Sequence, residues 1–359
     1  MTDTLKVTGC QRVFTTNPGL EKVVIAEFRQ RCYAAGAPAG GFDARRSGVR
    51  GRVLAGTDGD VMAAVAPRMR SIHHVRRPVD RFDLPDGPDP LAAIAARVAQ
   101  LDLPELATAA SFRASCIRRG NQPFTSEDVM RAVGAAINRV WQVPVDLTGY
   151  EVAVHADVID SRCIVDVVLP HRALSNRHPR VETHPTGLRA NIAYAALRMA
   201  GIQEDSSGRV LDPFCGSGTI LLEAGDLAPG IEVIGCDWNE RAVTGASANL
   251  AVAGLADRGR VDCRDSLAGL DDLGAFEAVV TNPPFGRKLG RGMKFPDFYR
   301  RLFELAADRL APGHRLVFLA DRGGAVNRGL RAAGGFRLRR RRLIQMSGVW
   351  PCIYVFERL

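Results

Sequence analysis

Beyond about residue 200 the chain alternates strand and helix, and that alternation leaves few folds open. The runs "GRVLDPF" (208–214), "EVIGCDW" (232–238), "RVDCRDS" (260–266), "FEAVVTNPPF" (276–285) and "HRLVFLA" (314–320) each read as a strand. Helical patterns start at Thr219 and Glu240, and a further one spans 297–310. Repeated strand–helix units imply a parallel sheet with helices on both faces. The last two runs, "RLRRRRLIQ" (337–345) and "CIYVFERL" (352–359), have only a short link between them. They read as an antiparallel hairpin at the sheet edge.

The front portion reads differently. "QRVFTT" (11–16) is a strand, Asn17-Pro18-Gly19 a turn, and Leu20 to Ala34 an amphipathic helix. "GVRGRVLAG" (48–56) and "SFRASCIRR" (111–119) read as strands, and Thr125 or Ser126 can cap a helix from Glu127. Residues 143–169 read as a strand, a loop and two more strands, and a polar, proline-bearing linker (169–185) follows. This part is α+β and carries no catalytic constellation.

Charge matters to the choice of partner. The net charge is +9, and 44 of the 48 basic side chains are arginine. Arginine suits bidentate phosphate recognition, so a polyanionic partner is expected, although a GC-rich coding bias also inflates arginine. The eight cysteines are scattered, with no C-x-x-C spacing, so neither a metal site nor a disulfide framework is expected. No run approaches the roughly 18 apolar residues of a membrane helix. The start lacks a signal-peptide layout, so a cytoplasmic protein is expected.

Chemistry concentrates at the strand ends. In "VLDPFCGSGTILLEA" (210–224), Gly216 and Gly218 let backbone approach a ligand, and the helix start offers free N–H groups. The third glycine of a dinucleotide fingerprint is missing, and Asp212 would repel a pyrophosphate. Asp212 would instead welcome a cation. Asp237 can hold ribose hydroxyls and Asp265 an adenine edge. An aminocarboxylate sulfonium matches these three acids.

The sequence "TNPPFG" (281–286) ends a strand with two prolines, which cannot donate to a ladder and fix φ. The Asn282 amide oxygen and the Pro283 carbonyl would each accept an N–H from an exocyclic amine, and Phe285 would stack on the base. Such an amine is a poor nucleophile, and stiff, preorganised acceptors help where a base cannot.

"DPFCGSGT" followed by "NPPF" resembles the first and fourth motifs of class I S-adenosylmethionine-dependent amino-methyltransferases. The resemblance implies an α/β Rossmann-like methyltransferase fold, a seven-stranded sheet with its last strand antiparallel. "FRASCIRRGNQPFTSEDV" with "VPVDL" resembles a THUMP domain, and "FTTNPGLEKVVIAEF" the ferredoxin-like unit that precedes it. "GVWPCIYVFERL" also matches the chain end of these enzymes. In this order the motifs resemble THUMP-bearing tRNA (guanine(6)-N2)-methyltransferases. Domains are therefore expected at 1–60 (ferredoxin-like), 61–170 (THUMP), 171–200 (linker and cofactor-covering helix) and 201–359 (methyltransferase).

The resemblance implies catalytic roles for Asn282, Pro283 and Phe285. It implies S-adenosyl-L-methionine contacts from Thr186, Leu188, Asp212, Pro213, Phe214, Gly216, Gly218, Thr219, Asp237, Asp265, Ser266 and Asn282. Gly187 stands beside Thr186 and Leu188 at the covering helix, and neighbouring His184 is not needed for methyl transfer to an amine. The front modules would grip the CCA end of tRNA. Nine arginines lie between 45 and 81, and the RNA contacts expected are Arg70, Arg76, Arg77, Arg113, Arg118, Arg119 and Phe124. Arg339 to Arg342 lie on a strand that should expose only alternate members, as an RNA rail or an aggregation-blocking edge. A monomer without an obligate protein partner is expected. Rival readings are a methyltransferase of another tRNA or rRNA guanosine, a DNA-adenine or protein-glutamine methyltransferase, and a THUMP protein that binds RNA without catalysis.

Overall fold

Both the front portion and the alternating portion fold into sheets. The computed structural model describes residues 7–44, 48–85, 87, 89–169, 173–182, 187–286, 292–346 and 348–359. Thr186, His184, Arg45 and Arg46 lie outside the described residues. The chain divides into two compact units, Met1–Thr16 with Val24–Leu174, and Asn17–Val23 with Ser175–Leu359.

The first unit holds strands β1 (Cys10–Thr15), β2 (Phe42–Asp43), β3 (Arg52–Thr57), β4 (His74–Asp83), β5 (Phe112–Ser115), β6 (Arg118–Arg119), β7 (Val152–Ile159) and β8 (Arg162–Leu169). Its helices are α1 (Glu21–Ala34), whose first turn falls in the second unit's segment, α2 (Gly59–Val65), α3 (Pro90–Val98) and α4 (Ser126–Trp141). The strands form one sheet in the order β2-β3-β1-β4-β8-β7-β5, with β6 also on β7. Thr125, not Ser126, caps α4: its hydroxyl accepts from the Asp128 N–H, and Asp128 returns the bond to the Thr125 N–H. "SFRASCIRR" is two short strands rather than one. Its break falls at Ile117, whose N–H donates to the buried Asp157 carboxylate (2.6 Å) instead of a ladder carbonyl.

The second unit carries β9 (Ser207–Asp212), β10 (Gly230–Asp237), β11 (Gly259–Cys263), β12 (Phe276–Thr281), β13 (Leu310–Ala320), β14 (Phe336–Leu343) and β15 (Cys352–Arg358). Helices α5 (Ala190–Ala200), α6 (Thr219–Leu227), α7 (Glu240–Val252), α8 (Phe295–Arg309) and α9 (Gly323–Ala333) pack on the sheet. The order is β11-β10-β9-β12-β13-β15-β14, parallel from β11 to β13, with β15 antiparallel to β13 and β14. This is the Rossmann-like methyltransferase sheet. The chain runs outward from β9 to β11, then returns to place β12 on β9's other side. That reversal puts the switch-point crevice between the carboxyl ends of β9 and β12.

Two apolar layers flank this sheet. One side is aromatic, with Phe318 stacked on Tyr299 (5.5 Å), Tyr354 (5.8 Å) and Phe356 (5.7 Å). The other is aliphatic and includes α5 and α6. Leu20, fully buried, belongs to that aliphatic core although it lies far away in sequence. Its segment is pinned by Asn17 Nδ2 donating to the Gln345 carbonyl (2.8 Å) and by the Gln345 N–H donating to the Pro18 carbonyl (2.8 Å). Asn191 Nδ2 adds a bond to Asn17 Oδ1 (2.8 Å). Cutting the chain at residue 170 therefore strips a core side chain from the second unit. Leu20→Ala is expected to cost about 2–5 kcal/mol and to lower that unit's melting temperature in calorimetry; an unchanged transition would refute the assignment of Leu20 to this core.

β14 corrects one expectation. Arg339, Arg340 and Arg341 are all exposed, and only Arg342 is half-buried. The register shifts between Leu338 and Arg340, so strict alternation is lost there. Arg337 and Arg339 both reach Glu357 of β15 (2.9 and 3.1 Å).

Candidate active site

β9 is flanked by β10 and β12, and its last residue, Asp212, is 2% exposed. Thr281, at the end of β12, donates its hydroxyl to Asp212 Oδ1 (2.6 Å), and the Phe214 N–H donates to the same oxygen (3.2 Å). Burial pushes the Asp212 carboxyl up to about 7, against those two hydrogen bonds, and the charge of Asp237 pushes the same way. Among the described residues no cationic side chain pairs with it. A buried carboxylate without a counter-ion suits a cationic ligand.

The turn after β9 closes through the Gly218 N–H onto the Cys215 carbonyl (2.9 Å). Gly218 precedes α6 at φ +79°, where an L side chain would be strained, and an added Cβ would sit 3.4 Å from Ala246. The half-buried Asp237 fixes the turn from the next strand: its Oδ2 accepts the Gly216 N–H (3.0 Å) and its Oδ1 the Asn239 N–H (2.9 Å). Each oxygen keeps a lone pair for a ribose hydroxyl. Asp265 is exposed beyond β11, and its side chain accepts the Leu267 N–H (3.0 Å).

The expected cofactor residues do not all present side chains. Ser266 is buried and donates its hydroxyl to the Pro213 carbonyl (2.6 Å), so it ties the turn after β9 to the segment after β11. Pro213 and Thr219 are also buried, and the half-buried Phe214 packs its ring on Phe298 (5.4 Å). Leu188 is buried in the aliphatic core, and Gly187 beside it is exposed.

At the end of β12 the Asn282 Oδ1 is buried and has no hydrogen-bond partner among the described residues. A buried orphan acceptor is costly, on the order of 1–3 kcal/mol, and this one, standing at the crevice, is free to accept from an incoming donor. Pro283 is buried, and Phe285 is half-buried against the aliphatic core. The Phe285 carbonyl accepts from Arg322 Nε (3.2 Å).

Sequence reasoning missed Thr281, Arg322 and Asn249. Asn249 on α7 is fully buried. Its Oδ1 accepts the Val181 (2.9 Å) and Glu182 (3.1 Å) N–H groups, and its Nδ2 donates to the Glu182 (2.8 Å) and Ser217 (3.1 Å) carbonyls. It thus joins the cofactor turn to the chain ahead of α5. Its signal was an amide on the small-residue face of α7 that also bears Gly245 and Ala246.

Two expected RNA contacts are corrected. Arg76 is 5% exposed and lies with Arg52 in a buried ion-pair network with Asp157 and Asp166. Phe124 is 7% exposed, packed in the core under α4. Both sit where apolar or paired neighbours exclude a ligand. Arg77 forms a bidentate pair with Glu105 (2.6 Å to each oxygen). Arg118 is half-buried and donates to Gln122 Oε1 (2.7 Å). Arg113 lies over the Tyr150 ring (5.7 Å), Arg70 is half-buried, and Arg119 is exposed, as are Arg68 and Arg81. No described helix is long and apolar enough to cross a membrane.

Comparison with known proteins bears on family and fold. The family described as "RMKL-like, methyltransferase domain" matches residues 177–351, and the THUMP domain family matches residues 91–168. A tRNA (guanine(6)-N2)-methyltransferase of Thermus thermophilus is 35% identical over 349 residues, 96% of this chain and 98% of that one. A crystal structure of TrmN from Thermus thermophilus superposes with a TM-score of 0.80 at 34% identity, covering 97% of this chain and 99% of that one. A U6 snRNA (guanine-N(2))-methyltransferase of Mus musculus is 33% identical over 190 residues, covering 51% of this chain and 35% of its own.

Proposed function

We propose that this chain, which belongs to the THUMP-domain S-adenosylmethionine-dependent guanine-N2 methyltransferases, methylates the exocyclic N2 amine of guanosine 6 in tRNA. The observation that carries the chemistry is the unpartnered, buried Asn282 Oδ1 at the switch-point crevice. Similarity along nearly the whole chain to the Thermus thermophilus enzyme supports position 6.

The residues present fit the cofactor. Asp212 would hold its ammonium, Asp237 its ribose hydroxyls, and Asp265 its adenine edge. When bound, S-adenosylmethionine supplies an electrophilic methyl group on a sulfonium. The rest is positioning by this chain. Asn282 Oδ1 and the Pro283 carbonyl each accept one N2–H, which turns the nitrogen lone pair out of conjugation and towards the methyl. Phe285 stacks on the ring and holds its plane. No side chain needs to remove a proton before transfer, because the amine becomes acidic only once alkylated. The base must leave any helix it occupies, at a cost of a few kcal/mol.

The front unit and the β14 edge would hold the RNA backbone. Arg68, Arg81, Arg119, Arg340 and Arg341 are exposed, and such contacts position RNA without reading sequence. Purified protein is expected to transfer tritiated methyl to unmodified tRNA, with nuclease digestion yielding N2-methylguanosine. A transcript carrying adenosine at position 6 should take up no label. Label in adenosine, or undiminished label in that transcript, would overturn the proposal.

A further inference from the structure

The double proline does not by itself account for a rigid site. Proline rings fix φ at 283 and 284, but they leave the Phe285–Gly286 peptide free to rotate. The structure supplies two further restraints there. Gly286 has φ +78°, and a Cβ on it would lie 2.5 Å from the Phe295 ring, so α8's first residue closes one side. Arg322 closes the other. Its backbone carbonyl starts α9 by accepting the Ala325 (2.9 Å) and Val326 (3.1 Å) N–H groups. Its side chain turns back across the sheet end, where Nε donates to the Phe285 carbonyl (3.2 Å). The guanidinium carbon stands 4.5 Å from the Phe295 ring centroid. One planar cation thus rests on the ring that backs Gly286 while binding the carbonyl just before it.

We propose that Arg322 is a positioning residue for methyl transfer. It locks the Phe285 peptide and so sets the aromatic face on which the substrate base stacks. This rests on reading the 282–285 loop as the amine-binding site. The competing description is a surface arginine, paired with Asp321 or facing RNA phosphate. The Asp321 contact is long (Nε–Oδ1 3.9 Å), and the Arg322 side chain is 46% exposed, so that pair is weak. The bond to the backbone carbonyl has the better geometry. A guanidinium suits the task because it stacks and donates in one plane, whereas an ammonium only donates.

The test uses the full-length protein with Arg322→Ala and Arg322→Lys. Limited chymotrypsin proteolysis, with the cleavage sites mapped by mass spectrometry and without cofactor or RNA, reads the Phe285–Gly286 peptide directly. Arg322→Ala should speed cleavage after Phe285 at least tenfold. It should lower kcat at least tenfold, while the Kd values for S-adenosylmethionine and tRNA stay within about twofold. Arg322→Lys should recover part of kcat. Unchanged cleavage after Phe285 overturns the proposal. So does a loss seen only in tRNA affinity, which would make Arg322 a phosphate contact. If the unaltered protein methylates no tRNA, the function proposed above fails, and the proteolysis measurement still decides whether Arg322 clamps the loop.

Discussion

Asn282→Ala is expected to lower kcat by about 10²–10³, the usual effect of deleting one preorganised hydrogen-bonding group at a reacting centre. Affinity for S-adenosylmethionine should change by no more than about threefold. The separation follows from the geometry. Asp212 and Asp237 are anchored to backbone and to Thr281, and neither bonds to Asn282. The Asn282 Oδ1 has no described protein partner to lose, so alanine removes an acceptor for substrate without exposing a broken internal bond. Asn282→Asp, which keeps an acceptor in place, should retain more activity than alanine. Tritium transfer under single-turnover conditions, alongside calorimetric cofactor binding, checks both quantities. Equal loss of binding and turnover would show that Asn282 belongs to the cofactor pocket rather than to the amine.

Asp212→Asn is expected to separate stability from function in the opposite direction. In the cofactor-free protein burial holds the Asp212 carboxyl at about 7, against about 3.9 in an unfolded chain. Below pH 4 the group is protonated in both states and carries no penalty. As pH rises from 4 to 7 the unfolded chain ionises first, so folding stability falls, and the loss is complete above 7. Three pK units correspond to roughly 4 kcal/mol as an upper bound. Asparagine keeps an oxygen for the Thr281 hydroxyl and the Phe214 N–H but carries no charge. The cofactor-free variant should therefore melt higher than the unaltered protein at pH 8 and close to it at pH 4.

Cofactor binding should move the other way. Removing one member of a buried ion pair costs about 3–5 kcal/mol, which is a hundredfold or more in Kd. In the unaltered protein the cationic cofactor must displace the Asp212 proton below pH 7, so affinity should rise with pH up to about 7 and then level. Thermal melts at pH 4 and 8, with titrations at pH 6 and 8, test the pair of claims. A variant that is less stable at pH 8, or that binds the cofactor normally, would remove Asp212 from its assigned place.

The parallel sheet, the Gly-bearing turn at 216–218 and the stiff loop at 282–285 were legible in the sequence because each rests on local chemistry. Periodicity, missing ladder donors and glycine backbone freedom act over a few residues, and they place Asp212, Asp237 and Asn282 at strand ends without reference to distant parts. Other features depended on packing between segments far apart in the chain. Arg76 and Phe124 read as surface groups, yet Arg76 is paired with acids from strands about eighty residues on, and Phe124 fills the core under α4. Leu20 reads as part of the front portion, but it completes the core of the methyltransferase unit. Arg322 and Asn249 gained roles only when folding brought them to the Phe285 and Ser217 carbonyls. Sequence determined which groups could do the chemistry, because that is a matter of residue type and local geometry. Tertiary structure decided which of them are exposed, paired or clamped, because burial and hydrogen-bond satisfaction are set by neighbours that adjacency in the chain does not reveal.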